Sequence, residues 1–195
     1  MTQLHVKEHA ATTLPETGWG PLAGLPGHPM MWVLIASELA VFGALIVAFG
    51  IAGALEPDLF AAGRARLDPL LGGINTLVLV TSGFLAAMAV AAADAGRRRT
   101  ARLHVAGAIL LGGLFVVVKL VEYRAKFAAG IGIETDSFFT LYFLVTGFHL
   151  LHVVLGMGIL AAVTVTDGDL RTGTAFWHMV DLVWVVLYAL VYLAG

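Results

Sequence analysis

From Met30 to Leu55 the chain reads MMWVLIASELAVFGALIVAFGIAGAL, and its one charged residue is Glu38. A helix crosses the roughly 30 Å of bilayer hydrocarbon with about 20 apolar residues, so this run is long enough to span. Pro29 stands where a first-turn residue needs no N–H donor, and Glu56-Pro57-Asp58 closes the run. At about 1.5 Å per residue, Glu38 falls some 13 Å past Pro29, close to the membrane midplane. A carboxylate there costs several kcal/mol unless it has a partner or a task.

Working outward from that span, four more runs qualify. They cover about Leu70–Ala93, Leu103–Val121 with an extension towards Phe127, Phe138–Val165 and Thr174–Ala194. Asp68-Pro69, the arginines Arg97-Arg98-Arg99 and Asp167-Gly168-Asp169 punctuate them. Of 195 residues, 59% are hydrophobic and only 12% charged, against roughly 25% charged in soluble domains. The mean hydropathy is +0.92. These figures predict an all-α integral membrane bundle of five transmembrane helices, with residues 28–195 as the transmembrane domain and residues 1–27 as a flexible or interfacial tail. The short connections predict that sequence neighbours pack antiparallel.

A net charge of -2 gives no basic face for nucleic acid. With no cysteine, disulfides, iron–sulfur clusters and thiolate zinc sites are excluded. Residues 1–27 lack the basic start and short apolar core of a secretory signal, so the first span reads as an uncleaved anchor. Orientation follows from Lys and Arg near span ends. Arg97, Arg98, Arg99 and Arg102 share one loop, and placing it inside adds Lys7 and Arg171, against Arg64, Arg66, Arg124 and Lys126 outside. The N-terminus is therefore expected in the cytoplasm and the C-terminus outside.

The polar residues within the spans are the candidate site. Glu38 reads equally as a proton-linked carboxyl or as a helix staple. His149 and His152 share a helical face with Gly156. As a metal pair they lack further ligands, and hydrogen bonding to a facing helix or a headgroup is the plainer reading. His178 and Asp181 are also three apart, within a stripe of Trp177, Asp181, Trp184 and Tyr188. An aspartate there could hold an imidazole or an indole N–H across a helix interface. Lys119 and Glu122 make an i,i+3 pair, read as a boundary ion pair or as a lysine reaching the interface. Asn75, Thr76, Thr81 and Ser82 can stitch the second span to its neighbours. Glycines such as Gly72, Gly83, Gly112, Gly113, Gly156 and Gly158 allow close helix approach. No nucleophile–base pair, phosphate loop or paired-carboxylate cleft is present.

Taken in order, several motifs resemble subunit III of the haem-copper oxidases. They are Met31-Trp32 through Ser37-Glu38, Asn75-Thr76-Leu77-Val78-Leu79 with Ser82-Gly83, Glu122-Tyr123, Ser137-Phe138-Phe139, Thr146-Gly147-Phe148-His149-Leu150-Leu151-His152 with Gly156, and Trp177-His178-Met179-Val180-Asp181-Leu182-Val183-Trp184. The resemblance runs from about Pro29 to the C-terminus. Longer members have seven spans, so this chain lacks the first two. Its opening Pro29–Ile35 and short length are similar to the branch associated with nitric oxide reductases.

The resemblance implies a subunit of a respiratory complex, in the bacterial inner membrane, with no haem, copper or catalytic residue of its own. Such a subunit packs on a haem-bearing catalytic subunit (a cytochrome c or quinol oxidase, or a nitric oxide reductase), holds structural phospholipid in a cleft, and supports assembly and proton uptake. Glu38 matches the family's buried glutamate. Asn75, Glu122, His149, His152, Trp177, His178, Asp181 and Trp184 match positions lining the cleft or stapling helices. Two competing readings remain: a stand-alone proton-linked transporter using Glu38, and a haem or metal protein ligated by His149 and His152 with His104 or His178.

Overall fold

The computed structural model describes residues 29–194, so Lys7 and the tail of residues 1–27 lie outside the described residues. Helices follow in the order α1 Pro29–Leu55, α2 Pro57–Arg64, α3 Pro69–Asp94, α4 Arg98–Ala128, α5 Ser137–Val165 and α6 Leu170–Tyr188, which continues as a π-helical turn, Ala189–Leu193. Five of them, all but α2, are long and apolar enough to cross a membrane.

Local chemistry sets the boundaries. The Asp68 carboxylate accepts from Leu71 N–H at 3.0 Å, and Pro69 follows as the first helical residue. Asp136 caps α5 through Phe139 N–H at 2.8 Å, and Asp169 caps α6 through Arg171 N–H at 3.0 Å. Each satisfies one of the N–H groups that a helix start leaves unpaired. Gly96 and Gly130, at φ 71° and 73°, reverse the chain after α3 and α4 in a conformation that side chains with a Cβ avoid.

Three differences from the sequence expectation have physical reasons. First, α2 occupies what reads as a plain connection after Glu56. It is a short amphipathic helix, held by Phe60, whose ring packs edge-on to Phe49 at 5.2 Å and Phe138 at 5.3 Å. Second, α4 starts at Arg98 rather than Leu103 and α6 at Leu170 rather than Thr174. These first turns project beyond the apolar span, where hydropathy carries no signal. They are tied by ion pairs of Arg102 with Asp167 at 3.2 Å and Arg171 with Asp94 at 2.7 Å. Third, α1 does not pair with the next span. It packs on α5 and α6, while α3 packs on α4 and α6. The detour through α2 separates the end of α1 from the start of α3. The result is a bundle in which α6 is the most buried span and α1 the least, with an open cleft between α1 and α3.

Candidate functional site

Glu38 reaches from α1 to α5, where its Oε2 lies 3.0 Å from His152 Nε2. The other ring nitrogen, Nδ1, is 2.8 Å from the Phe148 carbonyl. A carbonyl only accepts, so Nδ1 carries the hydrogen. The close Nε2···Oε2 approach then needs one further proton, held by the imidazole or by the carboxyl. The pair lies at the bundle edge, with Glu38 partly exposed and His152 buried. The Phe42 and Phe148 rings pack against His152 at 5.2 and 4.5 Å.

A second cluster lies deeper. Lys119 is 1% exposed, so it does not reach outward to solvent, and its ion pair with Glu122 is enclosed within the bundle. Its Nζ donates to Glu122 Oε2 at 3.0 Å, Tyr142 OH at 3.2 Å and Tyr192 OH at 3.0 Å. Both phenols donate in turn to Glu122 Oε1, at 2.8 and 2.7 Å. Every ammonium hydrogen and both carboxylate oxygens are used, and the ammonium also sits over the Tyr123 and Trp184 rings. The wider π turn at 189–193 carries Tyr192 into this cluster. Glu122 was legible as a polar staple. Tyr142, Tyr192 and the burial of Lys119 were not, since the tyrosines lie 23 and 73 residues away from Lys119.

Other expected staples divide. Asn75 Nδ2 donates to the Phe115 carbonyl at 3.3 Å and Ser82 Oγ to the Ala108 carbonyl at 2.7 Å, both joining α3 to α4. Trp184 Nε1 donates to Thr76 Oγ1 at 2.9 Å, joining α6 to α3. Thr81 instead bonds back to its own helix at Leu77. His149 is fully buried and stacks on Trp184 at 4.9 Å, and neither of its ring nitrogens has a protein partner. Trp177 works by shape: its indole lies where a Cβ on Gly112 would come within 2.8 Å and one on Gly156 within 2.7 Å. Its Nε1 has no acceptor, so no aspartate holds it. Asp181 Oδ2 lies 3.6 Å from His178 Nδ1 on the same helix, and its Oδ1 has no partner. The expected hydrogen bond across a helix interface is therefore not made at this position.

His104, His149, His152 and His178 are not gathered into a ligand set. Among the described residues no three histidines or carboxylates stand close enough to hold a metal ion, and both nitrogens of His152 are already engaged. Outside the spans, burial pulls the Arg64 guanidinium below its usual value.

The cleft between α1 and α3 has α6 as its floor. It is lined by Trp32, Ile35 and Leu39 on α1, Ala87 and Val90 on α3, and Arg171, Thr174, Ala175 and His178 among others on α6, and holds about 600 Å³. Arg171, paired with Asp94 at 2.7 Å, stands at the helix end above the apolar lining.

The described residues thus form a membrane bundle with buried polar staples, an edge Glu–His pair and an apolar cleft. Residues 27–195 match the family model for cytochrome c oxidase subunit III, and the chain belongs to that family. It is similar to a cytochrome c oxidase subunit 3 from Synechocystis sp., 29% identical over 194 residues, which covers 89% of this chain and 80% of that protein. A probable cytochrome c oxidase subunit 3 from Mycobacterium tuberculosis is 29% identical over 170 residues, 82% of this chain and 84% of that one. A haem-copper oxidase subunit I+III from Aeropyrum pernix is 30% identical over 181 residues, 84% of this chain but 22% of that longer protein.

Proposed function

We propose that this chain is the accessory subunit of a haem-copper oxidase in a bacterial cytoplasmic membrane, docked on a haem-bearing catalytic subunit and carrying phospholipid in its α1–α3 cleft. The subunit III match over residues 27–195 carries this reading. The I+III relative, which by its name joins two subunits in one polypeptide, supports a catalytic partner. The lipid assignment rests on the cleft: acyl chains fit an apolar trough walled by Ile35, Leu39 and Val90, with Arg171 at its mouth to meet a phosphate.

The Glu38–His152 pair gives such a subunit a proton-holding group of its own. Its bond to the Phe148 carbonyl fixes the ring orientation, and Nε2 and Oε2 share one proton. A group of this kind feeds a proton path when it faces water-bearing protein and serves as a staple when it faces only lipid. A hydrophobic carbodiimide reacts with protonated carboxyls, so in this reading it labels Glu38 ahead of the other acidic residues. Labelling spread evenly over the acidic residues removes Glu38 from any proton role.

Native mass spectrometry of the tagged chain, extracted from its own membrane in mild detergent, tests the whole reading. A haem-bearing subunit and phospholipid are expected to travel with it. The identity of that subunit also separates an oxidase from the nitric-oxide-reductase-associated branch to which the opening Pro29–Ile35 is similar. A chain that travels alone overturns the proposal.

A further inference from the structure

Asp181 stands midway along the Leu170–Leu193 span, about 16 Å from its start at roughly 1.5 Å per residue. It is 7% exposed, yet among the described residues it makes no hydrogen bond: Oδ1 is sealed without a partner, and Oδ2, 3.6 Å from His178 Nδ1, is the oxygen left for a group across the groove. The carboxylate is seated against Gly83 of α3, where any Cβ would overlap it. Around it runs a groove of about 440 Å³ between α3 and α6, lined by Val80, Gly83, Phe84, Leu182 and Val185 with His178 and Asp181. Phe84 and Leu182 on its rims are 62% and 67% exposed. Every lining group apart from His178 and Asp181 is apolar.

Two occupants can fill an apolar groove at this depth, lipid tails or a protein helix. An acyl chain donates no hydrogen bond, and a lipid headgroup stays at the interface, half a membrane away. A buried carboxyl in hydrocarbon calls for a donor at its own depth. In membranes, helices meet through small residues that let backbones approach and through polar side chains that bond across the contact. Gly83 beside Asp181 supplies both halves of that pattern.

We propose that the α3–α6 groove centred on Asp181 is the face that receives a transmembrane helix of the catalytic subunit, and that this helix brings an N–H or O–H donor to the Asp181 carboxyl at mid-membrane. The small floor at Gly83 admits the helix, His178 borders the contact on one side, and Phe84 and Leu182 cover it from either rim. The inference rests on the accessory-subunit reading for the identity of the partner.

The chain has no cysteine, so single cysteines can be placed cleanly. Phe84→Cys, Leu182→Cys and, as a control at an exposed position of α4 away from the groove, Leu110→Cys are introduced into the intact complex in its own membrane and coupled to a benzophenone maleimide. Illumination is expected to join positions 84 and 182 to the haem-bearing subunit, and position 110 to lipid. If positions 84 and 182 join only phospholipid, or only a second copy of this chain, the groove is not this interface, while co-purification of the haem-bearing subunit still upholds the accessory role. If no haem-bearing subunit co-purifies at all, the accessory reading itself fails. As a second measurement, Asp181→Leu is expected to keep normal amounts of chain in the membrane and to lower its recovery with the haem-bearing subunit by roughly ten-fold, the scale of one lost hydrogen bond to a charged group. Unchanged recovery overturns the role given to Asp181.

Discussion

Two polar clusters in this bundle have similar burial and opposite bonding. Around Lys119 and Glu122, five hydrogen bonds close on one another and no donor of the ammonium is left over. Around Asp181, one carboxyl oxygen has no partner and the other meets only His178 at 3.6 Å, an ion-pair contact without a hydrogen bond. A closed network holds the chain to itself: it ties α4 to α5 and to the end of α6, and its charges are mutually compensated. An open one is incomplete within the chain and belongs to whatever lies across the groove. Completeness of bonding therefore separates a residue's service to its own fold from its service to an assembly better than burial or charge does.

The comparison is sharpest where the closed cluster is broken. Glu122→Ala leaves the Lys119 ammonium buried without its counter-charge, a loss of about 3–5 kcal/mol. The detergent-solubilised chain should lose cooperative thermal unfolding or fail to accumulate. Lys119→Met with Glu122→Leu, combined with Tyr142→Phe and Tyr192→Phe so that no buried phenol is left unpaired, should recover most of that loss; a combined variant as unstable as the single one would show that the cluster is not self-contained.

A smaller effect is expected where packing alone is at work. Gly156→Val pushes against the Trp177 ring, and overpacking of this kind costs about 1–3 kcal/mol, read as a lower melting temperature. The matched change Gly158→Val meets open space and should be close to neutral. Smaller again is Trp184→Phe, which removes the hydrogen bond to Thr76 but keeps the ring against Phe115. Interhelical bonds in membranes average about 0.6 kcal/mol, so only a slight shift in melting is expected. The smallest effect falls on the open cluster. In the isolated chain Asp181→Leu should leave thermal stability unchanged, because the chain has no hydrogen bond there to lose. A large drop would mean that Asp181 staples the fold after all.

The sequence showed the spans because a membrane helix is written in consecutive residues. Helix α2 was not legible, since eight residues that bury Phe60 and little else carry no span-length signal. Each member of the Glu38–His152 pair stood out as a polar residue in lipid, but the pairing joins positions 114 residues apart and depends on α1 crossing to α5. The i,i+3 spacing revealed the Lys119–Glu122 ion pair. Its enclosure was not legible, because the cage is completed by Tyr142 and Tyr192 from other helices. Among the glycines, Gly112 and Gly156 face an indole while Gly113 and Gly158 face nothing, a distinction of helix face that spacing alone does not make until the partner helix is placed.

The most direct test is a density map of the intact complex at a resolution that shows side chains around both clusters. A side-chain N–H or O–H of the catalytic subunit is expected within hydrogen-bond reach of the Asp181 carboxyl, roughly 3.2 Å or less, with no group from outside the chain at Glu122. A groove over Asp181 filled by acyl chains, or a partner side chain bonded into the Lys119–Glu122 cluster, would contradict this arrangement.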